Sequence, residues 1–271
     1  MPELPEVETV RRGLASRLEG KTFLGAVSRV AGLRLPVPAG LHDLLAGQRL
    51  HAVERRAKYL LLRCDGGTLI LHLGMSGYLR VVDRDLPPGR HDHLDLLFDD
   101  GQVLRFNDAR RFGLLLWTTA DPQEHPLLVG LGPEPFAGAF TGDYLHERAR
   151  GRTVPVKAFI MDQRLVVGVG NIYANEALFL SGIHPARATG RISRDRYLRL
   201  ADIIRTVLAE AIAAGGTTLR DFSDSDGKPG YFALSLRVYG REGEPCPRCG
   251  HTLRQERIGG RSSFFCSRCQ H

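Results

Sequence analysis

The sequence predicts a multidomain α+β protein. Three observations carry that reading: a strand-rich N-terminal half, a helix-rich second part, and a cluster of cysteines that closes the chain. Residues 5–19 come first as a helix. Val7, Val10, Leu14 and Leu18 recur on one face at helical spacing. Pro5 suits the first turn, where an N–H is not needed; Glu6 and Glu8 favour the positive N-terminal end, and Gly20 closes the far end. From about residue 22 to 118 short β-like runs take over, among them 59–63, 68–72, 78–82, 94–98, 103–106 and 113–118. Asp65-Gly66-Gly67 and Asp99-Asp100-Gly101 supply turns between them, and many short strands with glycine turns suggest a sandwich or a barrel. Residues 121–135 hold four prolines and two glycines, the composition of an interdomain connection. Helical patterns follow at roughly 141–150, 172–181 and 193–214, and the glycine-rich polar stretch 215–230 reads as a mobile loop. There is no internal repeat.

The net charge of +7 is unevenly placed. Residues 1–135 carry 17 basic and 17 acidic groups, whereas residues 148–205 carry 11 basic against 4 acidic. The last 31 residues add six arginines against three glutamates. A surplus confined to part of a chain is the electrostatic footprint of a polyanion partner, although a solvated basic face gives the same count. No apolar run reaches the ~18 residues that a membrane span needs. The acidic, proline-bearing start is the reverse of a signal peptide, so a soluble cytoplasmic protein is expected.

Four of the five cysteines form two pairs, Cys246-x2-Cys249 and, sixteen residues later, Cys266-x2-Cys269. Without a secretory signal this spacing favours a metal over disulfides. Each pair lets two thiolates from one turn reach a tetrahedral ion, and the intervening segment is long enough for a β-hairpin. Four thiolates leave no open coordination position, so one structural zinc ion (Zn2+) is expected. The alternative, a pair of redox dithiols, normally sits in a βαβ context that this sequence lacks. Arg254, Arg257 and Arg261 would then lie on the hairpin, within reach of phosphates. Cys64, alone in an apolar stretch, reads as a buried small hydrophobe.

A basic zinc module by itself points to a nucleic-acid binder and implies no catalysis. The chemistry enters at the other end, in Met1-Pro2-Glu3-Leu4-Pro5-Glu6-Val7-Glu8-Thr9. A small second residue permits removal of the initiator methionine and exposes the secondary amine of Pro2, with carboxylates one and four residues away. An α-amino group titrates near pH ~8, and the positive end of the following helix lowers that value. PELPEVE at 2–8, RRAKYLLL at 55–62, HLGMSG at 72–77, RRFG at 110–113, VGVGNIYANEALF at 167–179, GGTTLRDF at 215–222, DGKPGYF at 226–232 and the closing cysteines follow in order along the whole chain. With these motifs the chain resembles the formamidopyrimidine-DNA glycosylase family, bacterial enzymes that remove 8-oxoguanine and ring-opened purines.

The resemblance implies a β-sandwich flanked by helices, then a helix–two-turn–helix domain with a four-cysteine zinc β-hairpin, and double-stranded DNA in the cleft between them. In chain order these would be a catalytic domain at 1–120, a linker at 121–135, a DNA-binding domain with a lesion-capping loop at 136–240, and a zinc finger at 241–271. It implies a bifunctional glycosylase and abasic-site lyase of base excision repair. Pro2 would be the nucleophile that forms a Schiff base, and Glu3 the general acid–base. Lys58 and Arg261 would serve the successive β- and δ-eliminations, Arg261 through its charge because arginine stays protonated. The lesion must leave the duplex, since its sugar carbon is otherwise inaccessible. Met75, Arg110 and Phe112 match the set that fills the vacated space, Arg110 donating to the orphaned cytosine; as lone residues, Met75 and Phe112 would more often be core. Asn171 matches the position where the helical motif meets phosphate, and His72, His91, Arg152, Lys157 and Tyr239 match further DNA-contacting positions. The loop at 217–222 resembles the segment that folds over the flipped base. Ala109 departs from the pattern, which has proline there, and is expected to loosen the loop that carries the wedge.

Two alternatives stand beside this reading. Endonuclease VIII shares the proline strategy but prefers oxidised pyrimidines; Leu4 and the RRFG segment favour the purine-directed branch. A non-catalytic nucleic-acid-binding zinc protein would share the C-terminal module and lack the amine nucleophile. The expected protein is a monomer of the bacterial cytoplasm, associated with the nucleoid.

Overall fold

The structure of the protein is a computed structural model that describes residues 2–216 and 236–271. Most of the loop expected at 215–230, with its 217–222 segment, lies outside the described residues. These group into two compact units, residues 2–129 with 214–216, and residues 130–213 with 236–271.

The first unit opens on α1 (Leu4–Leu18), whose Val7, Val10, Leu14 and Leu18 are buried on the face that the spacing predicts. Eight strands and a short helix follow: β1 (Phe23–Ser28), α2 (Leu41–Leu45), β2 (Leu50–Arg56), β3 (Tyr59–Cys64), β4 (Gly67–His72), β5 (Tyr78–Asp83), β6 (Asp92–Phe98), β7 (Gln102–Asn107) and β8 (Leu114–Thr118). They form two antiparallel four-stranded sheets, in the orders β2-β3-β4-β8 and β1-β6-β7-β5. Leu60, Leu62, Leu69, Leu71 and Leu115 of one sheet share a core with Leu79, Leu94, Leu96, Phe98, Leu104 and Phe106 of the other. Of the two architectures that the strand pattern left open, this is the sandwich. Leu61 and Ile70, on the opposite face of their strands, are buried as well, which is why β3 and β4 read as continuous apolar runs rather than alternating ones.

The second sheet carries an ion cluster. Asp95 and Arg105 are cross-strand partners, and the guanidinium grips the carboxylate through Nε to Oδ1 at 2.8 Å and Nη2 to Oδ2 at 3.0 Å. Arg29 also donates to Asp95, and Arg105 Nη1 reaches the Leu86 carbonyl at 2.9 Å, tying down the segment between β5 and β6.

The second unit contains α3 (Gly142–Ala149), α4 (Val156–Ile160), α5 (Asn171–Ser181) and α6 (Arg194–Ala213), then a hairpin of β9 (Arg254–Ile258) and β10 (Arg261–Phe265). Gly142 lets α3 cross α6 closely, since a Cβ there would lie 2.2 Å from the Leu198 backbone. Gly182 closes α5 in the left-handed conformation at φ 68°. Among the described residues no helix is long and apolar enough to cross a membrane.

Arg105 is only 2% exposed, so loss of Asp95 leaves its buried charge with Asp92 alone, 3.9 Å away and without a hydrogen bond. Asp95→Ala is expected to lower the unfolding free energy by about 3–5 kcal/mol in a denaturant titration, while replacing Asp95 and Arg105 together by apolar residues costs less. Burial alone would raise the Asp95 carboxyl, but Arg105 and Arg29 outweigh it and hold it below the usual carboxylate range. Its contribution is therefore present above about pH 4 and lost as pH falls through the folded value. A wild-type acid limb shared by the double variant would contradict this.

Candidate active site and nucleic-acid interface

The N-terminal site is built on the start of α1. Pro2, Glu3 and Glu6 are buried, and Glu3 is the N-cap of the helix. The Glu3 backbone N–H donates to Glu6 Oε2 at 2.7 Å, which fixes the Pro2–Glu3 peptide. Gly216, at φ 82°, lies against the Glu6 side chain, where a Cβ would come within 3.1 Å. The residues that lead into the 217–235 segment thus begin beside Glu6.

Lys58 is placed by a different element. Arg56 pairs with Tyr59, so Ala57 and Lys58 form the two-residue turn of the β2–β3 hairpin, with Ala57 at φ 55°. Arg55 holds this turn by donating Nη1 to the Ala57 carbonyl at 2.9 Å, and its Nε donates to Glu8 of α1 at 3.0 Å. Glu8 also accepts from Arg11 and Arg12. Burial works against its charge, but the arginines prevail and keep its carboxyl below the usual range.

His72 closes β4 beside the hairpin, its ring 4.8 Å from that of Tyr59. The Gly74 N–H donates to His72 Nδ1 at 2.9 Å, which leaves the proton of the neutral ring on Nε2. Burial first, then the charges of Lys58 and Arg34, push the imidazole down to about 4. His72 is consequently a neutral N–H donor flanked by cations.

Two loops meet next to it. Met75 is 37% exposed and Phe112 45%, and with Arg34, His72 and Gly74 they line a pocket of about 430 Å³. The Arg110 guanidinium lies 5.0 Å from the Phe112 ring centroid. Gly74 is required where the loops cross: at φ 70°, its Cβ would fall 2.4 Å from the Phe112 and Gly113 backbone. Ala109 and Arg110 are both exposed, next to buried Asp108. The loop they belong to is anchored by Asp108, which accepts from Gly113 N at 2.7 Å and from Arg110 N at 3.3 Å. His91 precedes β6, and its carbonyl accepts from Asp108 N at 3.0 Å.

The second unit carries the other predicted residues. Asn171 begins α5, and its side-chain Oδ1 is buried without a hydrogen-bond partner among the described residues. It stands at the helix end that attracts anions. Arg152 is exposed, with its guanidinium 5.7 Å from the Phe159 ring. Tyr239 packs edge-on against Phe264 at 5.1 Å. Arg261 starts β10, exposed, beside a Gly259-Gly260 turn whose two positive φ angles of 59° and 76° suit a tight hairpin.

Lys157 is a correction. Its expected place was on phosphate, but it is 1% exposed and donates Nζ to the Ser262 carbonyl and to Ser263 Oγ, both at 2.7 Å. A lysine signals positive charge in the sequence whether its ammonium points outward or into the protein. Here it fastens α4 to β10, holding the strand that Arg261 begins.

Sequence reasoning missed the polar residues that hold these parts together. Asn175 Oδ1 accepts from Phe264 N at 2.8 Å. Glu176, fully buried, accepts from the backbone N–H groups of Arg237, Val238 and Tyr239 at 2.9 to 3.0 Å. Both lie inside VGVGNIYANEALF, and the Asn-Glu pair in an otherwise apolar helix was the available signal. Asp108, Ser76 and Arg34 were missed in the same way.

The four cysteine sulfurs lie within 4.8 Å of one another, with Cys249–Cys266 at 3.6 Å and Cys246–Cys269 at 4.0 Å. A tetrahedron of Zn–S bonds of ~2.3 Å sets sulfur–sulfur separations of about 3.8 Å, so the site fits one zinc ion. The Arg248 N–H donates to Cys246 Sγ at 3.4 Å, supporting thiolate character. With all four positions taken by sulfur the zinc is structural. Cys64 is buried apart from this cluster, and burial pushes its thiol up to about 12.

A sandwich led by a prolyl helix, with a helical unit that ends in a four-thiolate hairpin, defines a nucleic-acid-directed zinc protein of the helix–two-turn–helix class. Residues 1–115 match the formamidopyrimidine-DNA glycosylase N-terminal domain, 131–223 the H2TH domain of the same enzymes, and 243–271 the zinc finger found in FPG and IleRS. The formamidopyrimidine-DNA glycosylase of Alkalilimnicola ehrlichii is 62% identical, with 100% of both chains covered. Two solved structures of Lactococcus lactis Fpg superpose with TM-scores of 0.91. The first, bound to DNA containing an abasic site, is 34% identical with 99% of each chain covered. The second, bound to DNA containing N7-benzyl-Fapy-dG, is 35% identical with 100% of each chain covered. The chain belongs to the formamidopyrimidine-DNA glycosylase family.

Two outcomes are expected from this geometry. Cys249→Ser should lose zinc, measured by elemental analysis, and weaken duplex binding while the first unit stays folded; full metal content with unaltered affinity would contradict the closed site. In NMR the His72 ring should not titrate between roughly pH 8 and 5.5. Since its folded value of about 4 lies below the ordinary 6.5, the unfolded chain takes the proton first, and His72 makes stability fall as pH drops from about 6.5 toward 4.

Proposed function

We propose that the protein is a bifunctional DNA glycosylase and abasic-site lyase of base excision repair, acting on duplex DNA that contains 8-oxoguanine or formamidopyrimidines. The observation that carries this reading is the fixed helix start, where Glu6 holds the Glu3 N–H and so presents the preceding residue, Pro2, at the positive end of α1.

Once Met1 is removed, the Pro2 amine attacks the anomeric carbon of the lesion nucleotide. The C–N bond to the base breaks as Glu3 gives the departing base a proton, and the proton that the amine loses passes to the ring oxygen as the sugar opens to an iminium on Pro2. That cation draws electrons from the adjacent carbon, whose proton leaves while the 3′ phosphate departs in β-elimination. A second elimination expels the 5′ phosphate. Lys58, at the hairpin tip, assists the first elimination, and the Arg261 charge assists the second. His72 and Lys58 hold phosphate on the first unit. Asn171, Arg152, Tyr239 and Arg261 hold it on the second, and His91 adds a contact on the first. Phe112 wedges between bases, Met75 fills the vacated space, and Arg110 donates to O2 and N3 of the orphaned cytosine. We assign the nucleophile and the proton transfers to the first unit, and most of the backbone grip, with the Arg261 charge, to the helical and zinc segments. The protein is a monomer of the bacterial cytoplasm, on the nucleoid. Zinc, when bound, fixes the hairpin fold and takes no part in bond making.

Borohydride reduction of the reaction on 8-oxoguanine duplex should trap a covalent complex, and mass spectrometry after proteolysis should map it to the peptide that begins at Pro2. An adduct on Lys58 would overturn the mechanism. Glu3→Gln should slow excision of the intact lesion by ~10²–10⁴-fold and cleavage at a preformed abasic site much less, because no base then has to leave. Equal losses on both substrates would remove Glu3 from its role at the leaving base.

A further inference from the structure

Asp108 is the most enclosed carboxylate of the first unit, at 0% exposure, and among the described residues its side chain bonds only neutral donors. Its charge is met by neutral donors from two loops. Oδ2 accepts from Gly113 N at 2.7 Å; Oδ1 accepts from Ser76 Oγ at 2.8 Å and from Arg110 N at 3.3 Å. Ser76 Oγ in turn accepts from the same Arg110 N–H at 3.3 Å. The backbone of Asp108 adds two more ties: its N–H donates to the His91 carbonyl at 3.0 Å, and its carbonyl lies 2.9 Å from His93 Nε2. One residue therefore joins the Met75 loop, the Arg110–Phe112 loop and the start of β6.

We propose that Asp108, acting with Ser76, is a positioning residue that sets which base the enzyme accepts opposite the lesion. The proposal rests on the reading that Arg110 meets the orphaned base. A guanidinium that must present two donors to O2 and N3 of cytosine tolerates little displacement of its backbone; ångström-scale misplacement costs on the order of a hundredfold in comparable constellations. The Arg110 N–H has two acceptors, Asp108 Oδ1 and Ser76 Oγ. The Met75 loop is fixed against it by the Ser76–Asp108 bond. Bonds to a charged acceptor hold harder than neutral ones, which accounts for a carboxylate among neutral donors. An apolar residue of similar volume would fill the space and leave the two loops to settle independently.

The test is single-turnover excision of 8-oxoguanine opposite cytosine and opposite adenine, with thermal midpoints measured alongside. Damage to packing alone slows both substrates equally and leaves their ratio unchanged. Ser76→Ala should reduce the cytosine-to-adenine rate ratio about fivefold, the factor carried by one hydrogen bond. Asp108→Asn, which replaces an acceptor by a donor facing the Gly113 or Arg110 N–H, should reduce it on the order of tenfold or more. Should Asp108→Asn fail to fold, Ser76→Ala decides alone. Arg110→Ala is the control. If it flattens the ratio while folded Ser76→Ala and Asp108→Asn keep the wild-type ratio, Asp108 has no positioning role and the reading of Arg110 survives. If Arg110→Ala itself keeps the ratio, the reading of Arg110 fails and takes the proposal with it.

Discussion

The Glu8 carboxylate accepts hydrogen bonds from Arg11 and Arg12 of its own helix and from Arg55 of the β2–β3 hairpin. Pro2 and Lys58 arrive on separate segments, one at a helix start and one at a hairpin tip. Apolar packing of Val7, Val10 and Leu14 against the sandwich fixes the helix to the core but is tolerant of rotation and sliding. The Glu8–Arg55 contact is directional. It sits five residues from Glu3, about one and a half helical turns, and the same arginine holds the Ala57 carbonyl next to Lys58. The relative place of Pro2 and Lys58 thus follows from one ion cluster in which Glu8, Arg11 and Arg55 are partly buried, where charge is screened less than at a free surface.

The second unit reaches the same end with a different device. The small apolar core under the zinc hairpin consists of Phe179, Val238, Leu253, Phe264 and two of the cysteines, too little to orient a strand by packing alone. Orientation comes from buried polar groups on α4 and α5. Lys157, Asn175 and Glu176 each bond to backbone or hydroxyl groups of β10 or of the 237–239 segment. Zinc closes the hairpin, and these three side chains aim it. Glu176 requires no cation, because three converging N–H groups satisfy its charge.

The sequence was most readable where burial follows a period. α1, α3, α5, α6, six strands and the cysteine module lie within a residue or two of where the spacing puts them. β1 was not singled out: FLGAVS carries a glycine and exposes Leu24 and Val27, so no alternation shows. β2 hides behind the charges of its last three residues, and α2 and α4 are single turns too short to show a period. The metal ligands were legible because tetrahedral thiolate chemistry dictates residue type and spacing. Lys157 was misread and Asp108 overlooked for a common reason. Whether a charged side chain turns inward depends on partners a hundred residues away for the first and thirty for the second, and local sequence does not encode that.

His72 has one further consequence. Its ring is neutral over the physiological range, with Nδ1 occupied by Gly74 and the N–H on Nε2. A lysine or arginine that meets a phosphate displaces a condensed counterion, and its share of the affinity fades as the ionic strength rises. An uncharged donor displaces none. If His72 meets phosphate as proposed, its share of the affinity should persist in brine that strips away lysine and arginine contacts, a salt-insensitive anchor beside the hairpin that carries Lys58.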